Sequence, residues 1–143
     1  MTQIDRSALL PYTAEQLFML VDDIESYPHY MDGCVAAEVF LRTPAVVEAR
    51  LDLAKGGVRQ SFSTRNYLTA PESIELELLE GPFQRFTGRW RFKALGECAC
   101  KVSLQLEFSI DNALVGLAMA RLFDSVTDKL VEAVSRRARA VYG

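Results

Sequence analysis

Few residues in this chain of 143 carry side chains suited to catalysis or metal binding. The single histidine, His29, has no partner at a spacing typical of a metal site or a catalytic pair. Cys98 and Cys100 lack the CxxC spacing of a redox or zinc pair, and Cys34 has no neighbouring cation in the sequence to lower its pKa. A glycine-rich phosphate loop, a Ser/His/Asp order and a carboxylate pair are also missing from the sequence. We therefore expect no catalytic residue, metal or cofactor.

Polar side chains occur at positions that the alternation of the sequence assigns to the interior. In the predicted strand 58–68 they are Gln60, Thr64 and Asn66, on a face that is otherwise apolar. A buried polar group without a partner costs about 1–3 kcal/mol, so these side chains need water, backbone or a ligand. Two alternatives stay open. Gln60 and Asn66 lie near strand ends and meet solvent, or the register is shifted by one residue and Arg65 points inward.

Gly88 occupies a predicted inward position between Phe86 and Trp90 and has no side chain to fill it. Together with the polar positions, it predicts a cavity with aromatic walls between a sheet and a helix. The alternative is that Gly88 marks a β-bulge and that the aromatic residues are ordinary core.

Basic side chains alternate on the opposite face of the predicted strand 83–94. They are Arg85, Arg89, Arg91 and Lys93. Such a row is suited to contact phosphates, and binding would then weaken steeply with salt. The alternative is a solvated face on which these residues pair with glutamates of neighbouring strands, namely Glu75, Glu77 and Glu107.

The C-terminal stretch 111–142 is the element that must cover the cavity. Its apolar residues recur every three or four positions, which predicts one helix of roughly 45 Å at about 1.5 Å per residue. Asp111 or Asn112 is suited to cap it, and Glu132 with Arg136 forms a favourable i,i+4 pair. Its first half is apolar over most of its circumference, but charged residues interrupt it too often for a membrane span. We expect a sheet to pack against this apolar half of the helix.

Before this helix, the sequence predicts seven strands and two short helices. Strand 1 covers residues 1–10, and Thr13 with Gln16 forms a capping box for a helix that Tyr27-Pro28 ends, followed by a short second helix or a loop. A period of two between turn signals predicts six further strands, at 35–42, 45–54, 58–68, 73–80, 83–94 and 98–110. No helix separates successive strands, so the predicted fold class is α+β, with a curved seven-stranded antiparallel sheet wrapped on the long helix.

Composition fits one domain spanning residues 1–143, because 50% of the residues are hydrophobic. The formal net charge of −3 and the pI near 5.2 argue against a general DNA-binding protein. No secretory signal follows Met1, and three cysteines are an odd number in a chain that needs no disulfides. A cytoplasmic location is therefore expected.

Five stretches resemble a known family. They are Pro11-Tyr12-Thr13-Ala14-Glu15-Gln16, Ile24-Glu25-Ser26-Tyr27-Pro28 leading to Gly33-Cys34, Phe62-Ser63-Thr64-Arg65-Asn66, Gly81-Pro82-Phe83 and Gly88-Arg89-Trp90-Arg91-Phe92. With the order of elements, they make the whole chain similar to the START-like, helix-grip superfamily of polyketide cyclases/dehydrases and lipid transport proteins. Within it, the chain resembles the coenzyme-Q-binding proteins and RatA-type ribosome-association toxins. The family commonly has a second proline before the Gly-Cys pair, where this chain has Asp32.

The resemblance implies an apolar tunnel between the sheet and the C-terminal helix. The expected ligand of this tunnel is an isoprenoid quinone, with ubiquinone as the first candidate, or a similar lipid, and its binding would support respiration. The resemblance also implies a transient contact between the protein and a membrane. The expected lining residues are Tyr27, Pro28, Phe62, Thr64, Phe83, Phe86, Gly88, Trp90, Leu114, Leu117, Ala118 and Phe123. The RatA-type group implies a different function, in which the basic row binds the large ribosomal subunit and blocks its association with the small one. Some superfamily members are cyclases, so an enzyme stays open as well.

Overall fold

In the part that the structure describes, the chain forms seven strands, three α-helices and one 3-10 helix. The computed structural model describes the backbone of residues 2–110 and 112–143, and the side chains of residues 2–110 and 117–143. The strands are β1 (Thr2–Leu10), β2 (Cys34–Arg42), β3 (Val46–Lys55), β4 (Val58–Thr69), β5 (Ser73–Glu80), β6 (Phe83–Gly96) and β7 (Ala99–Ile110). The helices are α1 (Ala14–Asp22), the 3-10 helix (Ile24–His29), α2 (Asn112–Asp128) and α3 (Leu130–Tyr142).

The strands form one antiparallel sheet in the order β1-β7-β6-β5-β4-β3-β2. Strands β2 to β6 each pair with the next strand in the chain, because the turns between them are short. Strand β1 joins β7, with Thr2 opposite Phe108 and Leu10 opposite Cys100. The predicted α+β class and antiparallel meander are confirmed.

Helix α1 begins at the predicted capping box. The Thr13 hydroxyl accepts a hydrogen bond from the Gln16 backbone N–H at 3.1 Å, and the Gln16 side chain accepts one from the Thr13 N–H at 2.9 Å. The Tyr27-Pro28 pair lies in the 3-10 helix that follows, where the Tyr27 hydroxyl donates to the backbone oxygen of Val21. This bond ties the 3-10 helix to the end of α1.

The predicted single C-terminal helix is wrong in one respect, because Lys129 separates it into α2 and α3. Lys129 has φ −105° and ψ 4°, outside the α-helical range. Its backbone N–H donates to the backbone oxygen of Val126, three residues earlier, at 3.3 Å. Just before it, the Thr127 hydroxyl donates to the backbone oxygen of Phe123 at 2.6 Å, which competes with the helical bonding pattern. No helix of the described residues is both long and apolar enough to cross a membrane.

The core lies between the inner face of the sheet and the three α-helices. In β4, Thr64 and Asn66 are buried, whereas Arg65 points outward and pairs with Glu48 at 2.7 Å. The predicted inward register of β4 is therefore confirmed, and the alternative register shifted by one residue is wrong. The predicted capping residues Asp111 and Asn112 lie outside the described side chains.

Candidate functional site

An apolar cavity of about 80 Å³ lies between the inner face of the sheet and helix α2. The sheet curves around it, so that strands β2 to β7 all contribute to its wall. Seven of the residues expected from the sequence line it: Tyr27, Phe62, Thr64, Phe83, Phe86, Trp90 and Phe123.

Aromatic side chains fill most of the space around this cavity. Phe83 of β6 lies at the centre, with its ring centroid 4.6 Å from Phe123 of α2, 5.1 Å from Phe86 and 5.7 Å from both Phe62 and Phe108. The contacts are edge-on or tilted, as the quadrupoles of the rings favour. This cluster explains why so little open volume is left.

One stretch of the wall is polar. The Thr64 hydroxyl donates a hydrogen bond to the side-chain oxygen of Asn66 at 2.8 Å, and both residues are buried, with exposed fractions of 9% and 7%. Gln60, the third polar residue expected on this face, is only half-buried and donates to the backbone oxygen of Ser61. On β4, the polar part of the cavity wall therefore consists of Thr64 and Asn66, and α2 adds the internally bonded Thr127.

The described wall is electrically neutral. Its ionisable side chains are Tyr27 and Cys34, and no Asp, Glu, His, Lys or Arg is among its described residues. Burial raises the pKa of the Tyr27 hydroxyl well above its usual value and that of the Cys34 thiol to about 11. Both groups stay protonated at neutral pH, so the cavity offers apolar contact and hydrogen bonds rather than charge.

The predicted basic row lies on the outer face of the sheet. Arg85, Arg91 and Lys93 are exposed and form no ion pair with any residue that the structure describes, whereas Arg89 pairs with Glu75. The pairing alternative therefore holds for Arg89 alone within this row. Lys101 on β7, which the sequence analysis did not include, stands directly opposite Lys93. Like charges in such a cross-strand position are unfavourable unless an anion lies between them.

A profile of the family described as polyketide cyclase/dehydrase and lipid transport matches residues 10–135. The chain belongs to this family. Among its relatives, the ribosome association toxin RatA of Pseudomonas aeruginosa is 44% identical over 142 residues, which cover 99% of each chain.

Solved structures of the polyketide cyclase/dehydrase and lipid transport type have the same fold. A START superfamily protein from Mycobacterium smegmatis superposes with a TM-score of 0.80, 21% identity and coverage of 97% of this chain and 98% of that one. The Zhui aromatase/cyclase from a Streptomyces species superposes with a TM-score of 0.84, 16% identity and coverage of 99% and 96%. At these identities the likeness establishes the fold only, and it confirms the predicted helix-grip fold, whereas the predicted START-like family is confirmed by the match over residues 10–135.

Several residues that were expected at the ligand site of this family member lie elsewhere. Pro28 is half-buried and outside the cavity wall, and Leu117 and Ala118 are exposed on α2, with Leu117 60% exposed. The side chain of Leu114 lies outside the described residues.

Gly88 faces inward as predicted, but the space above it is occupied. A Cβ atom at this position would meet the side chain of Leu106 at 2.8 Å and that of Leu76 at 3.0 Å. These leucines line the cavity in place of Gly88. The expectation that Gly88 opens the cavity directly is therefore wrong, since the close approach of two strand neighbours uses the space.

The helical part of the wall was largely missed from the sequence. With Phe123 at the cavity, the residues three and four positions later, Val126 and Thr127, share its face of α2, and Leu130 at the start of α3 follows at the next spacing of the same period. The same rule places Leu117 and Ala118 on another face. The helical period could have identified this set, had Phe123 been taken as the reference. Met31, which lies between the 3-10 helix and β2, and Cys34, the first residue of β2, carry no comparable signal.

Proposed function

We propose that this protein binds an isoprenoid or similar lipid, with ubiquinone as the first candidate, in the cavity between the sheet and α2. The observation that carries the proposal is the composition of the wall, in which aromatic and aliphatic side chains surround the buried pair of Thr64 and Asn66. Pockets for apolar ligands combine a mainly hydrophobic wall with a few polar groups in this way. Membership of a family described by lipid transport agrees with it. Because isoprenoid quinones reside in membranes, the function includes a transient membrane contact.

Such a ligand requires the cavity to widen. Its volume of about 80 Å³ is well below the roughly 300–1,000 Å³ of pockets for drug-sized molecules. The rings of Phe83 and Phe123 occupy the space that a tail would need. A tail that buries roughly 200 Å² of apolar surface gains about 5 kcal/mol at 25 cal/mol per Å². Each aromatic pair contributes roughly 0.5–1.5 kcal/mol beyond its buried area, so this gain offsets the loss of several ring contacts as long as the displaced ring stays buried.

The proposal involves binding without catalysis. A general acid or base needs a pKa near the working pH, and the ionisable groups in the described wall, Tyr27 and Cys34, have pKa values raised by burial. The neutral wall instead suits a ligand that is held and released unchanged.

Mass spectrometry of an organic extract from the purified protein tests this function. We expect a quinone or another isoprenoid to be recovered with the wild-type protein. Ala49 lines the cavity and is 3% exposed, so Ala49→Leu should fill the open volume and reduce the recovery of ligand. Ala94→Leu introduces the same side chain at an exposed position and serves as the control. No ligand with the wild-type protein, or equal recovery with Ala49→Leu, would contradict the proposal, with folding checked by circular dichroism.

We propose a second function, association with the large ribosomal subunit, on a different observation. A relative that is 44% identical over almost its whole length is named a ribosome association toxin. On this chain, the basic row supplies exposed Arg85, Arg91 and Lys93 without a carboxylate partner among the described residues, and Lys101 adds a fourth cation beside them. Ribosomal RNA offers the phosphates that such a row would contact.

Sedimentation in a sucrose gradient tests the ribosomal function. Wild-type protein should migrate with the large subunit at low salt and reduce subunit joining. Changing Arg85, Arg91 and Lys93 together to Glu should abolish both effects, because the phosphate contacts become repulsive. A control with the same change of charge uses exposed residues elsewhere on the surface, namely Arg59, Arg121 and Arg139. The proposal is wrong if the wild-type protein stays at the top of the gradient.

A further inference from the structure

We infer that the ligand carries a neutral hydrogen-bond-accepting oxygen, such as the carbonyl of a quinone, and that the side-chain amide of Asn66 donates to it. The inference rests on the proposed binding of an apolar ligand. It adds the chemistry of the ligand's polar end and the residue that selects it, with Thr64 as the positioning residue.

The side chain of Asn66 is polar, but its surroundings offer it few hydrogen-bond partners. In the sheet it stands directly between Val47 of β3 and Leu76 of β5. Val47 is completely buried, and Asn66 itself is 7% exposed. An amide in such a place is unfavourable unless its donors and its acceptor find partners. The neighbouring strands supply no polar side chain at these two positions.

Thr64 provides a hydrogen-bond partner for the carbonyl oxygen of the Asn66 side-chain amide. Its hydroxyl donates to the Asn66 oxygen at 2.8 Å, which directs the amide NH2 group to the other side of the planar side chain. No acceptor for this NH2 group occurs among the described residues. The fully enclosed side-chain atoms without a partner in the described chain are Asp22 Oδ1 and the Tyr30 hydroxyl, so the Asn66 nitrogen has open space beside it. That space is the cavity that Asn66 lines.

Apart from the indole N–H of Trp90, for which no hydrogen bond occurs among the described residues, the other polar groups of the described wall are bonded to the backbone. The hydroxyls of Tyr27 and Thr127 and the thiol of Cys34 each donate to a backbone oxygen, and the acceptors are those of Val21, Phe123 and Ala36 in that order. Asn66 and Trp90 are therefore the residues of the described wall with a side-chain donor for a ligand. Asn66 is the one whose donor a neighbouring hydroxyl, that of Thr64, directs away from itself.

The neutrality of the wall restricts the ligand further. A carboxylate or phosphate in the cavity would lose its hydration without gaining a cation, because the described wall contains no Lys, Arg or His. A neutral carbonyl needs only a donor, and one is present. The site therefore favours a prenylated carbonyl compound over a fatty acid and over a pure hydrocarbon.

Calorimetric titration with two matched probes tests this inference. One probe is a prenylated benzoquinone, and the other is a prenylated benzene with the same tail and no carbonyl oxygen. Wild-type protein should bind the quinone about tenfold more tightly, the value of one hydrogen bond. Asn66→Leu should bind the hydrocarbon as well as the wild type and lose the preference. Thr64→Val should reduce the preference, and Ser63→Ala, which also removes a buried hydroxyl but on the opposite face of β4, should keep it.

The outcomes separate the inference from the function on which it rests. Equal affinity of the wild-type protein for both probes, or a preference that survives in Asn66→Leu, overturns the inference but leaves the binding of apolar ligands standing. Failure of the wild-type protein to bind either probe overturns both. The wild-type comparison decides the matter by itself if circular dichroism shows that Asn66→Leu does not fold.

Discussion

Gly88 illustrates how much one missing side chain contributes to the packing of this sheet. Its neighbours on β5 and β7, Leu76 and Leu106, extend over it into the space that a Cβ atom would occupy. Both leucines also face the cavity. The size of Gly88 therefore determines how far the leucines protrude, and through them how much of the cavity stays open.

Gly88→Ala is expected to lower the free energy of unfolding by about 1 kcal/mol and to weaken ligand binding. The added Cβ lies 2.8 Å from Leu106 and 3.0 Å from Leu76, so both side chains must shift toward the cavity. Urea unfolding measures the first effect, and titration with the prenylated benzoquinone measures the second.

Gly96→Ala is the matched control for this experiment. Gly96 lies in the same strand, and a Cβ atom there meets nothing within 4 Å. We expect unchanged or slightly increased stability, because alanine restricts the unfolded chain. If Gly88→Ala were as harmless as Gly96→Ala, the leucines would not depend on the glycine for space.

Among the elements, helix α2 is the one that closes the cavity. It places Phe123 within 4.6 Å of Phe83 and 5.6 Å of Phe62, ring centroid to centroid, and it ends where Lys129 leaves the helical conformation. Val126 and Thr127 follow on the same helical face. Displacement of this one face would enlarge the cavity without breaking a pair of strands.

Phe123→Ala should cost about 3–5 kcal/mol of unfolding free energy, because Phe123 is 1% exposed and its removal leaves a cavity. Leu117→Ala on the exposed face of the same helix should change stability by less than about 0.5 kcal/mol. Chemical unfolding of both variants measures the difference. Added prenylated benzene should restore part of the stability of Phe123→Ala by occupying the new space. Equal costs for the two variants would show that α2 does not press on the sheet through Phe123.

The alternation of apolar and polar residues was sufficient to predict the strands and the order of β2 to β7, whereas the place of β1 beside β7 came from the structure. In a meander with short turns, each strand pairs with the next, and the period of two then decides which side chains point inward. The inward polar pair of Thr64 and Asn66 was found in this way. The break at Lys129 was not, because no proline or glycine marks it and a threonine hydroxyl bonding to Phe123 precedes it.

On the scale of the whole molecule, charge is distributed unevenly. The formal net charge is −3, yet Arg85, Arg91 and Lys93 lie along the outer face of β6, and Lys101 of β7 stands opposite Lys93. A local group of cations on an acidic protein binds polyanions through that group only, since the rest of the surface repels them.

Ribosome association is therefore expected to weaken about 50- to 150-fold between 50 and 200 mM salt, if these four side chains each neutralise one phosphate. Sedimentation at several salt concentrations measures the slope. The triple Glu variant of Arg85, Arg91 and Lys93 should have a much smaller slope. A slope close to zero for the wild-type protein would exclude contact through phosphates.

The sequence by itself determined the α+β architecture and the family, because these depend on local periodicity and on short motifs, whereas the structure decided between the two registers left open for β4. The tertiary structure alone decided how much space is left inside. That quantity depends on how far five phenylalanine rings and the leucines beside Gly88 extend toward α2, and each of these contacts joins residues that are distant in the chain. A periodic pattern specifies which face a side chain occupies, whereas the volume between two faces depends on the packing of both.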